Sequence, residues 1–205
     1  MRQAKGAAEN FKEIFRRPFR LSSFCFLTFY CIISLMQSSL KILSHSPVQT
    51  QKIAQILVKT LLDQKSSPPH IFALQGNLGA GKTTFIQGVG KSLKIKGRIL
   101  SPTFLIIKSF SLRKNPHFKN FYHIDCYRLE KAEEILTLDF KKIIQDPKNL
   151  VFIEWPERIK KLLPKDTLWI TFKVVDKNKR EIIINSKIKN SKTKSQPKTK
   201  KLKQF

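Results

Sequence analysis

Gly76-Asn-Leu-Gly-Ala-Gly-Lys-Thr-Thr84 follows directly on the short apolar run His70-Ile-Phe-Ala-Leu-Gln75. The stretch matches G-x-x-x-x-G-K-[ST], with Gly76 and Gly81 at its ends and Lys82-Thr83 closing it. Glycines let the backbone turn so tightly that successive N–H groups point inward at phosphate oxygens. A helix opening at the loop aims the positive end of its dipole at the same phosphates. Lys82 brings a compact cation to the β- and γ-phosphates, and the Thr83 hydroxyl is placed to ligate Mg2+. Asn77, Leu78, Gly79 and Ala80 complete the cradle, and Thr84 extends the polar cluster toward the α-phosphate. Phe85, Ile86, Val89 and Leu93 then recur at helical spacing, which predicts a helix over 83–93. The motif implies a nucleoside triphosphate as ligand and leaves its use open.

Such a loop needs an acid for the metal and a group that orients the attacking water. Asn149-Leu-Val-Phe-Ile-Glu154-Trp-Pro156 reads as an apolar strand that ends in a carboxylate, where a strand would deliver an acid to a cation. Phe121-Tyr-His-Ile-Asp125-Cys-Tyr-Arg128 is a second such strand; Asp125 is a candidate for supporting the metal or polarising water. His123, on the same strand, reads as a packed, hydrogen-bonded core histidine rather than a catalyst. Ser101-Pro-Thr-Phe104 supplies a proline-fixed turn whose Thr103 hydroxyl can sense a γ-phosphate, as switch segments do.

Outward from these segments, a helix is expected over 47–63, with Val48, Ile53, Ile56, Leu57 and Leu61 on its apolar side. Segments 104–111 and 119–126 are spaced as an antiparallel pair, 130–145 as a helix and 156–163 as a short helix. Thr167–Val175 and Arg180–Asn185 form a hairpin about Asp176-Lys-Asn-Lys179. Helices alternating with strands on such a sheet predict an α/β fold: a three-layer α/β/α P-loop domain with a mixed, partly antiparallel sheet.

That domain is expected to span 41–186 of the 205 residues. The chain carries 40 Lys+Arg against 14 Asp+Glu, a net charge of +26, of which the domain accounts for +14. Residues 187–205 hold eight lysines and no acid, and read as a disordered basic tail, either an electrostatic hand for RNA or solvated surface. Residues 1–40 place Arg16, Arg17 and Arg20 before an apolar run from Phe24 to Leu35. That run is short of the ~20 residues a bilayer span needs and also fits a signal-type segment. Met36 follows it at once, and the favoured reading is that translation starts there, upstream residues being no part of the functional protein. Three cysteines, Cys25, Cys31 and Cys126, exclude a disulfide framework and point to a reducing, cytoplasmic setting.

Taken together, residues 76–85, Ser101-Pro-Thr-Phe104, His123-Ile-Asp-Cys-Tyr-Arg-Leu129 and Ile153-Glu-Trp-Pro-Glu157 resemble, in order and spacing, the TsaE family. These are small bacterial ATPases of tRNA threonylcarbamoyladenosine biosynthesis, and the resemblance runs from about Ser44 to about Ser186. It implies Mg2+-dependent ATP hydrolysis and association with the TsaD–TsaB heterodimer, which modifies the tRNA adenosine next to the anticodon. By resemblance, Thr83 and Glu154 are the Mg2+ pair, Thr103 the switch threonine, Asp125 the second essential acid and Trp155 the tryptophan beside the metal carboxylate. Thr50 resembles an early threonine near the adenine, and Arg180 an arginine near the nucleotide. One departure is Asn77, where the family usually has an acid; the backbone cradle survives the change.

Three rival readings share parts of this pattern. A small-molecule kinase would use the same cradle and acid, but it needs an acceptor-binding lid, commonly arginine-rich, and none stands out. A GTPase would carry Asn-Lys-x-Asp, which does not occur. A membrane- or RNA-associated protein would place its function in the basic ends, with the nucleotide as a regulator.

Overall fold

The computed structural model describes residues 39–62, 70–113 and 115–185. The apolar segment ahead of Met36, the reading of Met36 as the start, and the lysine-rich tail all lie outside them. Among the described residues seven strands form one sheet: β1 (Leu40–Ser44), β2 (Ile71–Gln75), β3 (Ile107–Ser111), β4 (Asn120–Asp125), β5 (Asn149–Glu154), β6 (Leu168–Val174) and β7 (Arg180–Asn185). Their spatial order is β1-β7-β6-β2-β5-β4-β3. The four central strands, β6, β2, β5 and β4, run parallel, and the outer pairings β3–β4, β6–β7 and β1–β7 are antiparallel.

Burial on both faces explains the composition of the centre. Every residue of β5 is buried, as are the first four of β2, so neither strand shows the polar–apolar alternation of a half-exposed sheet. Alternate side chains feed two cores. Phe72, Leu74, Phe121 and Phe152 pack under α1 (Pro47–Leu62) and α2 (Lys82–Ser92). Ile71, Ile124, Val151 and Ile153 pack under α3 (Phe140–Gln145) and the 3-10 segments Ala132–Leu138 and Pro156–Leu162. This is the expected three-layer α/β arrangement. The rings of Phe72 and Phe152 stack across the two central strands at 4.5 Å, which adds a directional contact to their area burial.

Three expectations need correction. The buried stripe of α1 is Ile53, Ala54, Leu57, Val58 and Leu61, while Val48 is 77% exposed and Ile56 half-buried. Val48 sits in the first turn, beyond the reach of the sheet. Segment 130–145 is not one helix: Asp139 takes φ 54° and separates a 3-10 segment from α3. β1 adds a strand that the sequence pattern does not announce, because its five residues follow a much stronger apolar run, yet it closes the sheet against β7.

The crossing of α1 and α2 depends on Gly88. A Cβ there would stand 2.6 Å from Gln51 Cα and 2.9 Å from Ala54 Cβ. Both neighbours belong to a helix backbone or its first side-chain atom, so neither can swing aside. Gly88→Ala is therefore expected to destabilise the fold by about 1–3 kcal/mol, the usual cost of overpacking, despite alanine's better helix propensity. Urea unfolding measures it, and a stabilised variant would contradict the close approach.

Candidate functional site

The C-terminal ends of β2, β5 and β4 lie side by side, and the glycine loop, Thr83, Thr103, Asp125 and Glu154 gather there. In open α/β sheets this edge is where ligands bind. β2 runs into the loop at Gly76, whose φ of 152° and closeness to Phe172 leave no space for a side chain: a Cβ would lie 2.5 Å from the Phe172 carbonyl oxygen. The loop ends at Gly81, φ 98°, and α2 begins at Lys82. Its first turn leaves N–H groups without intrahelical acceptors, directed into the loop.

Lys82 is buried and reaches back across the loop, donating to the carbonyls of Gly76 at 2.7 Å and Asn77 at 3.0 Å. Its ammonium also lies 4.1 Å from the centre of the Trp155 ring. Burial pushes the Lys82 pKa below the ordinary lysine range, and the negative charges of Glu154, Glu157 and Asp125 oppose the shift. Trp155 can take this place because its φ of 57° turns the chain sharply at the end of β5. Its ring meets that of Tyr127 at 5.1 Å.

Glu154 is the last residue of β5, in register with Leu74 of β2 and Asp125 of β4. Its Oε1 accepts a hydrogen bond from the Thr83 hydroxyl at 2.8 Å and contacts His123 Nε2 at 2.9 Å. Asp125 has a separate set of donors: Thr103 Oγ1 at 2.8 Å, the Ser101 hydroxyl, and the Tyr127 N–H at 3.0 Å. The predicted switch threonine is therefore held by the predicted second acid. Ile106, just beyond, takes φ 61°, a strained conformation for a β-branched residue, and its carbonyl accepts the Asp125 N–H.

Thr50 and Arg180 stand apart from this acidic group, in a cleft shared with Gly79, Gly81, Thr84 and Asn178. The Thr50 hydroxyl is bonded to Ser44 Oγ at 2.8 Å. Arg180 donates to the carbonyls of Asp176, Lys177 and Lys179 and, at 3.1 Å, to that of Gly79. It thus pins the β6–β7 turn to the glycine loop. Leu78 projects from the loop, 77% exposed, while Ala80 is buried beneath it.

Residues 44–182 match the family model described as threonylcarbamoyl adenosine biosynthesis protein TsaE. The chain belongs to the TsaE family. The tRNA threonylcarbamoyladenosine biosynthesis protein TsaE of Rickettsia typhi is 37% identical over 137 residues, covering 66% of this chain and 88% of the relative. The Bacillus subtilis protein of the same name is 35% identical over 137 residues, covering 67% and 79%. The crystal structure of Bacillus subtilis YdiB superposes with a TM-score of 0.52 at 27% identity, covering 73% of this chain and 86% of that one.

Within this TsaE-family chain, sequence reasoning missed three contributors: Ser101 and the Tyr127 N–H on Asp125, and the contact of His123 with Glu154. A signal for the last was present, since His123 and Asp125 are two apart on a strand and must share a face. Cys126, between the acid and the tyrosine, is fully buried, and burial with the charges of Asp125 and Glu157 pushes its thiol up to about 12. The thiol stays protonated at neutral pH. Native protein treated with iodoacetamide at pH 8 should carry no label at Cys126 by peptide mass spectrometry, and denatured protein should carry it fully.

Proposed function

We propose that this chain is a Mg2+-dependent ATPase that supports threonylcarbamoyl modification of the tRNA adenosine next to the anticodon, acting with the TsaD–TsaB heterodimer in the cytoplasm. Membership of the TsaE family supports the pathway, and the contact of Thr83 Oγ1 with Glu154 Oε1 beside the glycine loop carries the chemistry. Two oxygen donors of this kind fit Mg2+, which takes one or two protein ligands and completes its shell with phosphate and water.

In this reading, residues Gly76 to Thr84 wrap the triphosphate with backbone N–H groups, and Lys82 supplies positive charge where negative charge builds up. Thr83 and Glu154 would hold the Mg2+, which when bound neutralises phosphate charge and fixes the orientation of the phosphates. Asp125 holds Thr103 and Ser101 close to the γ-phosphate end, and is itself the group available to orient water. Thr50, Asn178 and Arg180 border the space for the nucleoside. Asn77 contributes its carbonyl to Lys82, a role that needs no acidic side chain.

ATP hydrolysis is expected to be slow for the chain alone and much faster with the partner heterodimer. Repeated rounds of tRNA modification in a reconstituted system should require this chain. Efficient phosphate transfer to a small metabolite, indifferent to the heterodimer, would overturn the assignment. Truncation after Ser186 separates the two readings of the lysine tail: removing eight positive charges should weaken tRNA association and flatten its salt dependence if the tail touches RNA.

A further inference from the structure

His123 is fully buried, and its Nε2 lies 2.9 Å from Glu154 Oε1. The other ring nitrogen, Nδ1, is also buried and has no hydrogen-bond partner among the described residues. An ionised carboxylate can only accept, so Nε2 carries the proton and Nδ1 keeps a bare lone pair. The opposite tautomer would turn two acceptors toward each other and bury an N–H with nothing to receive it, which native structures rarely tolerate. Glu154 Oε1 therefore takes two donors, the imidazole N–H and the Thr83 hydroxyl. Glu154 Oε2 takes none from the described residues.

The strand register makes this contact a consequence of the sheet. On β4, His123 pairs with Phe152 and Asp125 pairs with Glu154, so the imidazole sits one pleat behind the acid on the same face. A long carboxylate in a loose pocket would sample several rotamers, and the Lys82 ammonium, which feels the charge of Glu154, attracts it. A donor that grips one oxygen from the strand beside it holds the carboxylate back from that collapse.

We infer that His123 is a positioning residue: its Nε2–H fixes the Glu154 carboxylate through Oε1 and leaves Oε2 free for the cation. The inference rests on Glu154 being a Mg2+ ligand, and it assigns the work to a hydrogen bond, not to a change of charge on the histidine. A histidine that only filled space would be replaced without loss by an apolar ring. One that acts through its N–H is replaced by glutamine, whose amide can offer a donor at similar reach.

The test uses the full chain bound to a non-hydrolysable ATP analogue, with Mn2+ titrated as the probe and followed by electron paramagnetic resonance. His123→Phe is expected to weaken Mn2+ binding by about 10–100-fold, the scale for losing an outer partner of a metal ligand. Affinity for the analogue in EDTA should stay unchanged, and His123→Gln should restore Mn2+ affinity to within a few-fold. Glu154→Gln is the reference: if it leaves Mn2+ binding intact, the metal reading itself fails and this inference falls with it. If Glu154→Gln abolishes binding while folded His123→Phe binds normally, only the role of His123 is overturned. Equal losses in His123→Phe and His123→Gln also overturn it. Nitrogen-15 NMR of the unmodified protein gives an answer that no variant's folding can obscure. The protonated nitrogen should be Nε2, and an Nδ1–H tautomer would refute the assignment.

Discussion

Lys82→Ala is expected to lower ATP turnover in the presence of the partner heterodimer by about 10²–10³-fold, the scale for deleting one preorganised group that stabilises developing charge. The ammonium is buried, bonded to two loop carbonyls and covered by the Trp155 ring. Replacing it removes both the charge and the tie across the loop. Lys82→Arg should fail nearly as badly, because a planar guanidinium is wider than the space between the Gly76 and Asn77 carbonyls and the indole face. Burial lowers the pKa of Lys82, so activity should fall at alkaline pH as the ammonium is lost, earlier than an exposed lysine would allow. Steady-state hydrolysis against pH checks both points. Turnover within a few-fold of the unmodified chain in Lys82→Ala would remove the loop from the chemistry.

Glu154→Ala should abolish turnover to a similar extent and, unlike Lys82→Ala, should also weaken the fold. Two donors lose their acceptor: the Thr83 hydroxyl and the fully buried imidazole N–H of His123. An orphaned buried donor costs about 1–3 kcal/mol, which a chemical denaturation curve resolves easily. Glu154→Gln keeps the volume and an acceptor oxygen, so it should lose activity while keeping most of the stability. If Glu154→Ala were inactive yet as stable as the unmodified chain, the hydrogen bonds around Glu154 would not be those described.

The glycine loop and the central strands were legible because each carries a local signature. The glycine loop is a motif, and β5 is an apolar run that ends abruptly in Glu154. The β6–β7 hairpin is bounded by a polar turn. The groups brought together from different segments were legible only as types. Nothing near residue 103 says that its hydroxyl rests on Asp125, because that contact is made by β3 and β4 lying edge to edge. The split at Asp139 was invisible for a related reason. A non-glycine residue with positive φ leaves no compositional mark, and the turn is imposed by Phe140 and Ile143 dropping into the second core. β1 shows the opposite failure: its alternating burial, with Leu40, Ile42 and Ser44 inward, is regular, but five residues with an apolar Leu43 turned outward and a polar Ser44 turned inward carry too little contrast.

The pairing of β1 with β7 places Leu40 opposite Ile184 and Ser44 opposite Arg180, so the earliest strand of the sheet can find its neighbour only after the latest has been made. Arg180, at the start of that late strand, is also the residue that clasps Gly79. During synthesis, then, the glycine loop would leave the ribosome long before its clasp. The clasp on the loop would arrive only with β7, together with the last edge of the sheet, and a chain stalled before residue 180 would carry the whole glycine loop without it.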